Sequence, residues 1–221
     1  INVSNPGLLA GSNTYTINWN LTETYIDNTR SFDVDYWNGS SWQNIANFAA
    51  TTGPHSSQGY STSWTTPNLD RTDIRLRVQV LDLAGNSESS ESTQFEIDST
   101  PPNLTISSPA ANSYHKASVV MTGLCETGVP IFFSGALQED FSVTCSGGSY
   151  SQTLNGSNGD GNKLIYASQT DAAGNNTLVS RTFIRDEVAP VLSLTSGTNP
   201  DFTNANQPNT WSGTCEGNYS I

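Results

Sequence analysis

The 221-residue chain carries 20 acidic and 8 basic residues, a net charge of −12, so a polyanionic partner such as nucleic acid would be repelled. Hydrophobic residues make up 34% and Ser with Thr about a quarter, which favours thin β-rich modules with small cores over a thick α/β enzyme. No window approaches 18 consecutive apolar residues, which argues against a membrane-spanning helix in this segment.

The opening Ile-Asn-Val-Ser-Asn-Pro-Gly has neither a Met nor a charged-then-apolar leader, so we expect the chain to begin inside a longer polypeptide. After a short strand near Ile1 to Ser4, apolar residues alternate at Tyr15, Ile17, Trp19 and Leu21, then at Phe32, Val34 and Tyr36. The pattern returns at Ile74, Leu76, Val78 and Val80, and at Phe95 and Ile97. Alternation places these side chains on one face of each strand, as in a sheet buried on one side. Edge segments near Trp42 to Phe48 and Tyr60 to Thr65 bring the count over residues 1–99 to about seven strands, and no segment holds a helical period over ten residues. Asn38-Gly39 predicts a two-residue hairpin turn, which needs positive φ at both central positions.

Residues 100–188 read the same way. Strands are expected at Asn103 to Ser107, Ser118 to Cys125, Pro130 to Ser134, Phe141 to Cys145, Tyr150 to Leu154, Lys163 to Thr170 and Leu178 to Ile184, with Asn155 to Asn162 as turn material. Residues 189–221 supply two strands at most, too few to bury a core alone.

Three pairs of anchors expose an internal period. Asp82 and Asp171 are 89 positions apart, Pro102 and Pro190 are 88, and Cys125 and Cys215 are 90. The expected organisation is two β-sandwich modules, 1–99 and 100–188, and the start of a third, incomplete repeat at 189–221.

The same period bears on the odd cysteine count. Cys125 and Cys145 fall in neighbouring strands of the second module and could close a loop, worth about 3 kcal/mol. Cys215 repeats Cys125, so its partner would lie about 20 residues further on; the alternative is that all three are buried thiols. Disulfides persist in oxidising surroundings, so the cysteines of this acidic, Lys-poor chain point to export.

The anchors Asp82 and Asp171 each open an Asp-x-Ala-Gly-Asn pentapeptide, Asp82 to Asn86 and Asp171 to Asn175. Gly85, Asn86, Gly174 and Asn175 readily adopt left-handed backbone, and the Asp side chain can accept bonds from the amides that follow. Each copy is therefore expected to be a self-capped turn between the last two strands of its module.

Both closing halves, Ile74 to Pro102 and Asn162 to Pro190, resemble those of bacterial immunoglobulin-like repeats, the tandem modules of large surface proteins and adhesins. The first module, with Trp19, "VDYWNGSSWQNIA" and "RLRVQVLDLAGNS", is similar to their fibronectin type III-like variants. The second, with "TGLCETG" and "TCSGGSYSQTL", is similar to the cysteine-bearing type. The resemblance implies an all-β fold of tandem immunoglobulin-like sandwiches and specifies function poorly, because this sandwich hosts many unrelated roles.

Catalysis needs a nucleophile held by an oriented base, and the only histidines, His55 and His115, fall in different modules near no plausible Ser or Cys motif. Calcium is the more plausible chemistry: Asp98 and the pair Asp186 and Glu187 stand where one module hands over to the next. A calcium-binding helix-loop-helix over Asn155 to Asn162 is excluded, because Gly156 and Ala167 would fill ligand positions without a donor side chain. Trp37 and Trp42 flank the Asn38-Gly39 turn and could stack on a glycan, although the plainer reading puts Trp42 and Trp64 in the core and Trp37 over the sheet edge.

The expected role is a non-catalytic segment of a secreted or cell-surface bacterial protein, acting as semi-rigid stalk or adhesin repeats beside neighbouring repeats of the same polypeptide. Prolines in "IDSTPP" and "RDEVAP" would restrict the junctions. The alternatives are a module binding a surface glycan or protein, or an accessory region of a secreted hydrolase.

Overall fold

The computed structural model describes residues 1–23, 25, 31–49, 55–195 and 212–215, and among these there is no helix. The first module runs through β1 (Asn2–Val3), β2 (Leu9–Ala10), β3 (Thr14–Glu23), β4 (Ser31–Trp37), β5 (Trp42–Ala49), β6 (His55–Thr65), β7 (Arg71–Leu81), β8 (Ser87–Glu91) and β9 (Phe95–Asp98). One sheet has the order β1-β3-β6; the other has the order β2-β9-β7-β4-β5, with β8 also on β7.

The alternating residues close the space between these sheets. Ile17, Trp19 and Leu21 meet Phe32, Val34, Ile74, Leu76, Val78, Phe95 and Ile97, all buried. Trp19 stacks on Tyr60 at 5.9 Å and meets Phe32 edge-on at 6.2 Å. This is the two-sheet packing that period-two patterning produces.

Two details depart from the sequence expectation. The Asn38-Gly39 hairpin is a four-residue loop: Trp37 pairs with Trp42, and Asn38 Oδ1 accepts from Ser40 N–H and Ser41 N–H, both at 2.9 Å. That side-chain cap replaces the tight two-residue turn. The last strand is also split. Ser92, buried between β8 and β9, accepts the Leu76 N–H at 3.0 Å and donates to Thr93 O at 2.9 Å, which satisfies the interruption.

The second module comprises β10 (Tyr114–His115), β11 (Ser118–Leu124), β12 (Pro130–Gly135), β13 (Phe141–Thr144), β14 (Ser149–Asn155), β15 (Gly161–Thr170) and β16 (Asn176–Arg185). A five-stranded sheet, β10-β16-β15-β12-β13, faces the pair β11-β14. Its separate core gathers Leu104, Val119, Met121, Ile131, Phe133, Leu154, Ile165 and Phe183.

The segment expected as a strand at 103–107 is bonded along β11 without being a regular strand: Thr105 N–H donates to Leu124 O at 3.0 Å and Ser107 N–H to Thr122 O at 2.7 Å. Gly123 permits this approach, since a Cβ there would lie 1.9 Å from Thr105 O. Tyr150 donates its hydroxyl to the same carbonyl at 2.9 Å, and burial pushes that phenol up to about 12.

Cys125 and Cys145 form a disulfide with a Cα separation of 6.0 Å. They follow β11 and β13, which belong to opposite sheets, so the bond staples the sandwich across its core rather than joining neighbouring strands. Further on, β17 (Leu192–Thr195) pairs with β18 (Ser212–Cys215), Ser193 opposite Thr214. The side chain of Cys215, and with it the expected partner, lies outside the described residues.

Candidate functional site

Three places gather the residues singled out by sequence: the outer face of β4 and β5, and the two junctions.

On the outer face, Trp37 and Trp42 are register partners and therefore share a side of the sheet. Their rings meet edge to face at 5.6 Å. Arg75 lies 5.6 and 5.5 Å from the two ring centroids and Arg77 lies 4.2 Å from that of Trp42. Each guanidinium is tied to a carboxylate, Arg77 to the buried Asp35 and Arg75 to Glu91, both at 2.7 Å. Trp42, expected in the core, is thus half-buried on the outside, whereas Trp64 is a core residue at 4% exposure. The cause is register: Trp37 is out of phase with Tyr36, and Trp42 follows its partner. Crossed rings under guanidinium groups offer a cation–π ladder rather than the open parallel faces on which a sugar stacks.

The first junction is a hydrogen-bonded knot. Asp70, in the loop before β7, accepts from Ser99 N–H at 2.5 Å and from the Thr100 hydroxyl at 2.8 Å. These bonds, the Ser99 amide first, hold its carboxyl below the usual carboxylate range. Asp98 Oδ1 accepts from Thr100 N–H at 2.9 Å. The Asp98 carbonyl accepts twice, from Gly11 N–H at 3.1 Å and from the Asn175 side chain of the second module at 2.9 Å. Two residues further on, the Thr177 hydroxyl donates to Pro102 O at 2.6 Å.

At the second junction, Arg185 is buried and donates to Gly156 O at 3.0 Å, to Ser157 O at 2.9 Å and to the Glu187 carboxylate. That last bond holds the Glu187 carboxyl below its ordinary value. Asp186 Oδ1 accepts Val188 N–H at 3.2 Å.

The donors proposed for calcium, Asp98, Asp186 and Glu187, are thus engaged with amides and a guanidinium. Among the described residues no group of three or more His, Cys, Asp or Glu is placed to hold a metal.

The pentapeptides have the expected self-capped form. Asp82 Oδ1 accepts Asn86 N–H at 2.8 Å, and Asp171 Oδ1 accepts Asn175 N–H at 2.9 Å. Gly85 and Gly174 take φ of +85° and +99°.

One contact escaped sequence reading. The Ser113 hydroxyl lies 2.8 Å from His115 Nε2, brought there by the two-residue strand β10. That hydroxyl also donates to Ala110 O at 2.7 Å. Its proton is committed to a carbonyl, so the pair lacks the nucleophile-to-base bond that activates a serine.

No protein-family model and no curated protein matches the chain. By its strand order and two-sheet packing it is a tandem of immunoglobulin-like, fibronectin type III-like β-sandwiches. It is similar to the fibronectin(III)-like modules of Clostridium thermocellum CbhA, at 14% identity and a TM-score of 0.40 over 81% of this chain and 88% of that one. It is also similar to a tetra-tandem repeat from the extending region of a large adhesion protein, at 19% identity and a TM-score of 0.35 over 94% of this chain and 55% of that one. A third likeness is to a Ca2+-stabilised adhesin with which an Antarctic bacterium binds ice, at 16% identity and a TM-score of 0.40 over 89% and 52%. The chain spans about half the length of these last two solved chains.

Proposed function

We propose that the chain is a non-catalytic, semi-rigid segment of a secreted or cell-surface bacterial protein, whose sandwich modules hold a neighbouring part of the polypeptide at a set distance and angle. The observation that carries this reading is the first junction: Asn175 and Thr177 of the second module bond to Asp98 O and Pro102 O on the connecting segment. A linker held by side chains of the next module resists bending, and Pro101 and Pro102 stiffen it further. The disulfide and the net charge of −12 support an extracellular setting.

The test removes both donors. In Asn175→Ala with Thr177→Val, solution scattering broadens the distribution of interdomain distances, while the first module's melting transition is unchanged and the second's falls by about 1 kcal/mol, since Asn175 also donates to Asp171 Oδ2 within its own turn. An unchanged distribution would overturn the reading.

Acid loosens the same junction. Asp70 has a folded-state carboxyl value below the ordinary 3.8, so its contribution is complete above 3.8 and is lost as pH falls through the depressed value. Interdomain residual dipolar couplings accordingly persist at neutral pH and decay in that acid window. Asp70→Asn abolishes this pH dependence. Because the junction acids are engaged within the protein, melting curves in calcium and in chelator coincide.

A further inference from the structure

The two Asp-x-Ala-Gly-Asn turns are internally matched, and only one of them is occupied. In each, the Asp N–H donates to the Asn carbonyl, at 2.9 Å for Asp82 and 3.1 Å for Asp171. In each, the Asn amide nitrogen donates to the Asp Oδ2, at 2.7 Å for Asn86 and 2.9 Å for Asn175. An amide nitrogen carries two hydrogens. Asn175 gives the second to Asp98 O and is half-buried. Asn86 is exposed, and its second amide hydrogen meets no acceptor among the described residues.

The surroundings of Asn86 add apolar surface. Leu83, which takes the place of Ala172, is 63% exposed, and its N–H donates at 2.8 Å to the carbonyl of Tyr25, itself 69% exposed. Two large apolar side chains in water beside an unused amide donor describe a contact face.

We propose that this pole of the first module, Asn86 with Leu83 and Tyr25, is the receiving face for the C-terminal strand end of another module of the same kind placed ahead of it. The occupant is specified by the filled counterpart: a strand-end carbonyl in the position of Asp98, whose other acceptor direction is taken by the N–H of its own Gly11 equivalent, followed by a Pro-containing linker. Glu88 stands where Thr177 stands and its carboxylate donates nothing, so the latch here is the asparagine bond with apolar contact rather than two hydrogen bonds. The inference rests on the stalk reading and extends it from one junction to a repeating rule.

The test adds residues 1–103 directly ahead of Ile1 of the full chain. Leu104 to Pro109, "LTISSP", lines up with Ile1 to Pro6, "INVSNP", so the added Asp98 to Asn103 would enter Ile1 as they enter Leu104 in the native chain. With only the original chain isotopically labelled, side-chain amide exchange is read at Asn86, and Asn175 serves as the internal standard. The expected result is at least a tenfold slowing at Asn86 on fusion, toward the rate of Asn175, reversed by Leu83→Ser with Tyr25→Ser in the original chain. A shorter extension, residues 94–103 alone, gives the same direction of shift should the larger fusion not fold. Unchanged exchange at Asn86 with Asn175 protected would overturn the inference and leave the stalk reading standing. Asn175 unprotected in the native chain would instead remove the stalk reading. Protection of Asn86 that grows with concentration of the native chain would also overturn the inference, since the occupant would then be a second copy in trans.

Discussion

Cys125→Ala with Cys145→Ala lowers the stability of the second module by about 3 kcal/mol and leaves the first module's unfolding transition where it was. The two cysteines are 20 positions apart and buried, at 5% and 3% exposure. Opening the bond releases a loop in the unfolded chain. In the folded one, it removes the side-chain cross-link between the end of β11 in one sheet and the end of β13 in the other. The paired sheet here has only two strands, so little else holds that edge closed. The effect stays in one module because the cores are separate: the first collects residues between Val3 and Ile97, the second between Leu104 and Phe183. Chemical denaturation followed by amide exchange resolves the two transitions; a matching shift in both would show that the modules unfold as one unit.

Gln169→Leu costs about 1–3 kcal/mol by a different route. Gln169 is 1% exposed at the end of β15. Its Oε1 accepts Glu126 N–H at 3.0 Å, and its Nε2 donates to Glu126 O at 3.2 Å and Val129 O at 2.9 Å. One side chain therefore satisfies three backbone groups of the turn between β11 and β12. Leucine has nearly the same size but leaves Glu126 N–H without its protein partner, at about 1–3 kcal/mol before relaxation, while Glu126 O and Val129 O keep the bonds they accept from Val129 N–H and Cys145 N–H. The turn also donates Gly128 N–H to Cys145 O at 3.0 Å, so the glutamine and the disulfide brace one region. Their combined loss should depart from additivity, which a double-mutant cycle by denaturant melting measures. A cost below about 1 kcal/mol would mean that water takes over the bond to Glu126 N–H.

The strands were legible because the side-chain period of an extended chain is a local property. Ile17, Trp19 and Leu21 face inward wherever the strand goes, provided one side of the sheet is buried. The self-capped turns were legible for the same reason: Asp82 and Asn86 are four positions apart, and Gly between them permits the geometry. Trp42 was misplaced because its side depends on pairing with Trp37, and that register is set by the four-residue loop and by the irregularity between Val34 and Asp35. Strands β2 and β10, each two residues long and paired in parallel, left no periodic trace.

The contacts that bear on function were the least legible. Asn175 and Asp98 are 77 positions apart, and nothing in either residue names the other. The sequence by itself determined that the chain is modular, all-β and built on a period near 89 residues, since alternation, turn chemistry and repetition are written in neighbouring positions. Only the tertiary structure decided which residues touch across sheets and across the junction: the disulfide between opposite sheets, the arginines over Trp37 and Trp42, the buried Gln169 and the asparagine on the linker. Those depend on strand register and on how one module meets the next, and a chain reads neither until it has folded back on itself.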